Sequence, residues 1–125
     1  ENADLLFEVC NVFTKKGYFT KAMGYCEKML ELKPGVYKAM NRLAWLYAKK
    51  QKNLAKALDL SSQTLKAFPK RPEYIDTLSE IYYVQGKSEE AITKIKEALN
   101  LVPNDPYYKQ QLWKFKNVKP KKPAA

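Results

Sequence analysis

The chain has 125 residues, 46% hydrophobic and 29% charged, with only four glycines and no histidine. That leaves room for one domain with a real core, too few glycines for a strand-and-turn fold, and no apolar run near the roughly eighteen residues of a membrane span. Lys and Arg number 23 against 13 acids, a formal net charge of +10, so an anionic partner has to be weighed from the start.

In chain order, Leu6, Val9 and Phe13 recur at the spacing of one helix face, and Lys16-Gly17-Tyr18 ends that helix. Thr20 is placed to cap a second helix carrying Ala22, Cys26, Met29 and Leu30, closed by Pro34-Gly35. A second pair follows, with Leu43, Ala44 and Tyr47 in one helix and Ala57 and Leu65 in the next, closed by Pro69. Its turn, 48–53, has no glycine and one extra residue, and Asn53 is the residue expected to take the turn conformation. Ser61 and Thr64 stand where larger or purely apolar residues are expected, which predicts looser packing in this pair.

The third pair has the fullest punctuation. Ile75, Leu78, Ile81 and Tyr82 line one helix, which stops at Gln85-Gly86-Lys87, where Gly86 can turn left-handed without a Cβ penalty. Ser88 is the expected cap of the next helix, Glu89 and Glu90 oppose its dipole, and Ala91, Ile92, Ile95, Ala98 and Leu99 form its apolar face up to Pro103. Asp105-Pro106 then opens a seventh helix, 106–118, with Tyr108, Leu112 and Phe115 on its buried side. Residues 119–125, rich in Lys and Pro, are expected to be a disordered tail or linker remnant.

Leu78, Tyr82, Gly86, Ala91, Ala98 and Pro103 keep fixed spacing in one 34-residue window, and the two upstream pairs copy much of it. The chain thereby resembles the tetratricopeptide-repeat family. The resemblance implies an all-α, right-handed superhelical solenoid of three helix-turn-helix repeats (3–36, 37–71, 72–105) with a capping helix, 106–118, forming one domain over 1–118. A lone repeat cannot bury its own apolar stripe, so the last pair needs that cap. With no initiating Met, the sequence reads as a piece of a longer protein, and its compartment stays open.

Candidate chemistry is sparse. Cys10 and Cys26 both face inward between the first two helices and are expected to be buried thiols; their spacing alone cannot establish a disulfide. With no histidine and no third thiol, neither a metal site nor a cofactor site is expected. The acids are scattered and no nucleophile motif or phosphate loop accompanies them, so the chain is not expected to be an enzyme.

Charge is uneven: the middle repeat has nine bases against one acid, the third repeat three against seven, and residues 106–125 six lysines and no acid. A nucleic-acid binder is expected to carry its bases on one continuous face, and here an acidic repeat interrupts them. Tyr107, Tyr108, Trp113 and Phe115 alternate with Lys109, Lys114 and Lys116, but a buried cap face with a lysine-rich exterior accounts for that pattern better than a base-stacking surface.

In the family resembled, the first helices of successive repeats line a concave groove for a peptide or partner helix. Carried over by position, the candidate groove residues are Phe7, Asn11, Lys38, Asn41, Arg42, Trp45, Lys49, Asp76, Glu80 and Tyr83. Trp45 with Arg42 is the leading anchor, and Phe7, Trp45 and Tyr83 are expected to supply the buried apolar contact. The two-carboxylate clamp of chaperone-binding members is not matched: Asn11 fits, but Phe7, Arg42, Glu73 and Thr77 stand at its other places.

The expected role is a protein-interaction module for a protein or peptide ligand of unknown identity. Binding of nucleic acid or another anionic surface through the basic segments is the alternative, and self-association through repeat ends the third.

Overall fold

The computed structural model describes residues 2–121. Seven helices follow one another, with no strand among the described residues: α1 (Ala3–Lys15), α2 (Phe19–Leu32), α3 (Tyr37–Lys50), α4 (Leu54–Ala67), α5 (Pro72–Val84), α6 (Ser88–Leu101) and α7 (Pro106–Asn117). Each pair packs on itself, α1 on α2, α3 on α4 and α5 on α6, and each following first helix packs on the second helix before it. The result is an all-α solenoid whose apolar stripes are covered by neighbouring repeats.

The turns follow local chemistry. Gly17 and Gly86 both sit at φ 83°, the left-handed region where a side chain is strained. In the middle repeat two residues share that task, Gln51 at φ 53° and Asn53 at φ 50°. Asn53 was the expected one; the extra residue of this turn requires a second reversal, and Gln51 makes it.

The caps need correction in two places. Helix α2 begins at Phe19 and α6 at Ser88, so Thr20 and Ser88 lie inside their helices, and neither helix has a side-chain cap. In both, the residue after the glycine already closes the turn through its own amide, Tyr18 N to Phe13 O and Lys87 N to Tyr82 O, each 2.9 Å, and the helix starts one residue later. Asp105 does cap α7, accepting from the Tyr108 amide at 3.1 Å, and Asn2 caps α1 through Oδ1.

Cys10 and Cys26 are bonded to each other, with Cα atoms 5.7 Å apart, and both are fully buried. The expectation of free thiols is corrected here, because α1 and α2 bring the two inward-facing positions into bonding range. A link closing a loop of this length stabilises a fold by about 3 kcal/mol, largely by constraining the unfolded chain. Ser61 and Thr64 are also fully buried. Thr64 Oγ1 donates to the Ser61 carbonyl at 2.8 Å, while Ser61 Oγ has no hydrogen-bond partner among the described residues.

Helix α7 buries Tyr108 and Phe115 against α6 and leaves Trp113 63% exposed. Beyond it, residues 119–121 run without regular structure, and the Lys121 carbonyl accepts from Gln51 Nε2 at 2.7 Å. The rest of the expected tail, 122–125, lies outside the described residues. None of the helices described is long and apolar enough to cross a membrane.

Candidate functional site

The first helices of the repeats share one side of the solenoid because positions one turn apart on α1, α3 and α5 point away from the second helices. Between them lies a cleft of about 590 Å³. Phe7 and Asn11 come from α1, Lys38, Asn41, Arg42 and Trp45 from α3, and Asp76 from α5. These are seven of the candidate residues.

Arg42 is held in direction within the cleft. Its Nε donates to Asn11 Oδ1 at 3.0 Å, and its guanidinium carbon lies 6.0 Å from the Trp45 ring. Burial lowers its pKa, a sign that the charge is costly to hold there. No acid pairs with it among the described residues, and none pairs with the neighbouring Lys38 or with Arg71, which also lines the cleft. Arg71 instead stacks 4.2 Å from the Phe68 ring and donates to the Tyr74 hydroxyl at 3.2 Å. Asn41 Oδ1 is buried in the same wall without a hydrogen-bond partner among the described residues.

Trp45 is half-buried, edge-on to Phe19 with ring centroids 5.4 Å apart, and Lys49 Nζ lies 5.2 Å from its ring. The Tyr107 hydroxyl meets Trp45 from across the cleft, and burial raises its pKa.

The remaining candidates lie elsewhere. Glu80 is 3% exposed, its carboxylate held by Lys114 at 2.9 Å, by Lys49 at 3.5 Å and by Gln111 Nε2 at 2.9 Å. Burial pushes the Glu80 pKa up, but Lys49, Lys114 and these hydrogen bonds outweigh it and hold it below the usual value. Tyr83 is 5% exposed, its ring tilted 30° against that of Phe115, and donates its hydroxyl to the Val118 carbonyl at 2.9 Å. Glu80 and Tyr83 are therefore covered by α7 and its exit and do not line the open cleft, while Lys49 is turned toward Glu80.

Asp76 stands between the two regimes. Its Oδ1 accepts from Gln111 Nε2 at 3.1 Å, yet it also lines the cleft. Burial, with the Glu80 charge adding to it, pushes its pKa up to about 7, against the opposing pull of Gln111, Lys49 and Lys114.

The residues missed from sequence are Arg71, Tyr74, Tyr107 and Tyr108, with Gln111 and Lys114 behind them. A signal for three of these was present. Continuing the repeat frame into α7 puts Tyr107, Gln111 and Lys114 at the second, sixth and ninth positions, the groove positions of a fourth first helix.

A second cleft, about 650 Å³, opens between α2 and α4, with Glu27, Glu31 and Asp59 on its walls; the Tyr47 hydroxyl donates to Glu27 there at 2.6 Å.

The solenoid superposes on the tetratricopeptide domain of P58(IPK) with a TM-score of 0.78, over 91% of this chain and 33% of that one, at 21% identity. The fold is that of the tetratricopeptide repeat. MamA from Desulfovibrio magneticus RS-1 is also similar (TM-score 0.76, 23% identity, 91% of this chain, 64% of that one). So is the first tetratricopeptide domain of Spaghetti (RPAP3), bound to the HSP90 peptide SRMEEVD (TM-score 0.76, 21% identity, 93% of this chain, 91% of that one). This tetratricopeptide solenoid thus spans about a third of the P58(IPK) domain and under two thirds of MamA. No family model matches the sequence, and neither does any curated protein.

Proposed function

We propose that this domain is a non-enzymatic protein-interaction module whose cleft holds an acidic peptide segment, or the acidic side of a partner helix, against α1, α3 and α5. The observation that carries this reading is Arg42: a half-buried guanidinium, fixed in direction by Asn11 and without an acid partner among the described residues. A buried charge left unpaired is expensive, and a ligand carboxylate would offset that cost through the bidentate fork that arginine offers. Lys38 and Arg71 extend the same field, and Asn41 Oδ1 offers an acceptor for a ligand N–H. Trp45 and Phe7 supply the apolar contact; Tyr83, buried under α7, leaves that role to Tyr107. The likeness to a domain bound to an HSP90 peptide supports peptide binding as a class, while the substituted clamp positions argue for a different ligand.

The test is binding of a panel of acidic, neutral and basic peptides to the wild type and to an Arg42→Ala/Trp45→Ala double variant. Acidic peptides should bind the wild type, and the double variant should lose at least about tenfold in affinity with unchanged helicity by circular dichroism. Equal binding by the two proteins, or capture that disappears on nuclease treatment, would instead put function on the outer basic surface.

A further inference from the structure

Within the cleft two acids sit among the cations, the exposed Glu73 and the buried Asp76. Asp76 is 5% exposed; Oδ1 is bonded to Gln111, while Oδ2 receives no hydrogen bond among the described residues. The groups facing it can be named element by element. From α3 come Lys49 and the cleft cations Lys38 and Arg42; Arg71 precedes α5; from α5 itself come Glu73 and Glu80. From α7 come Lys114 and the hydroxyls of Tyr107 and Tyr108, with Asp105 at its cap. Glu80 is already neutralised by two lysines. Among the described residues Asp76 thus has no cation of its own in contact, and an approaching carboxylate meets it as a like charge in a poorly solvated wall. The chain has no histidine, the side chain that ordinarily titrates near neutrality.

Resting on the reading of the cleft as an acidic-segment site, we propose that Asp76 is its proton-linked group: it takes up a proton as the segment docks on Lys38, Arg42 and Arg71, so the segment is held more tightly below neutral pH than above it. A protonated Asp76 removes the like charge and still accepts from Gln111 at Oδ1. The sign follows from linkage. Whatever favours the protonated carboxyl in the bound state must be favoured by low pH. With the free group titrating at about 7 and raised by about one unit in the complex, affinity at pH 6 is about fivefold that at pH 8.

The experiment uses a tetramethylrhodamine-labelled hexaglutamate peptide as probe, with anisotropy titrations at pH 6, 7 and 8 at constant ionic strength, on the wild type and Asp76→Asn. In parallel, the Asp76 carboxyl carbon is titrated by NMR in the wild type, free and with saturating probe, which needs no variant to fold. Tighter binding at pH 6 in the wild type, a flat profile in Asp76→Asn, and an NMR midpoint near 7 that moves upward with probe are the expected results. A midpoint unmoved by probe, an equal pH dependence in the variant, or tighter binding at pH 8 overturns the proton linkage while leaving the cleft reading intact. No binding by either protein at any pH overturns the cleft reading itself, and the linkage with it.

Discussion

The two ends of the concave side treat charge in opposite ways. Toward the first and second repeats, Lys38, Arg42 and Arg71 line an open cleft with no acid bound to them among the described residues. Toward the third, Glu80 is enclosed between Lys49 and Lys114, and Gln111 bridges it to Asp76. Both ends are built from equivalent positions of first helices; only the second is covered by another first helix, α7. A groove position is therefore a place on the solenoid, and whether it meets ligand or protein depends on what stacks beyond it.

The largest effect should come from breaking the enclosed end. Glu80→Ala leaves Lys49 and Lys114 facing one another without their shared acid, and a loss of roughly 3 kcal/mol in unfolding free energy is expected from denaturant midpoints. A loss below about 1 kcal/mol would mean that α7 is held by its apolar contacts alone.

A smaller, pH-dependent effect should appear at the boundary. The Asp76 pKa in the folded state, about 7, lies above its usual 3.8, so its contribution to stability is full below about pH 4 and is lost as pH rises through 7. The Glu80 value is lowered from 4.5, so its contribution is present above that value and lost as pH falls through the folded one. Asp76→Asn should consequently raise stability on the order of 1 to 2 kcal/mol at pH 8 and change little at pH 4. Thermal melts at the two pH values check this.

The smallest effect belongs to the open end. Arg42→Ala removes a charge hydrogen-bonded, among the described residues, to Asn11 alone, and stability should stay within about 0.5 kcal/mol of wild type, although peptide binding falls. Equal destabilisation by Arg42→Ala and Glu80→Ala would erase the distinction between the two ends.

Much of the fold was legible in the residues. Leu78, Ile81, Ala91, Ile95 and Ala98 recur at helical spacing and are all buried, and Gly17 and Gly86 mark turns that only a left-handed backbone completes. The caps were less legible, since Ser88 and Thr20 have cap chemistry but are the first and second residues of helices whose turns are already closed by backbone amides. Phe7, Asn11, Lys38, Asn41, Arg42, Trp45 and Asp76 do line one cleft. Lys49, Glu80 and Tyr83 could not be told from them, because the partners that engage them come from another repeat or from α7.

The sequence by itself determined seven helices, each packing on its neighbours in the chain, because helix faces, glycine turns and prolines act over a few residues and leave their period in the chain. Tertiary structure alone decided three things: that Cys10 and Cys26 are joined, that α7 encloses Glu80 and leaves Arg42 open, and that Asp76 lies at the boundary between them. Each depends on side chains 16 to 35 residues apart meeting in space, and no local pattern records that distance.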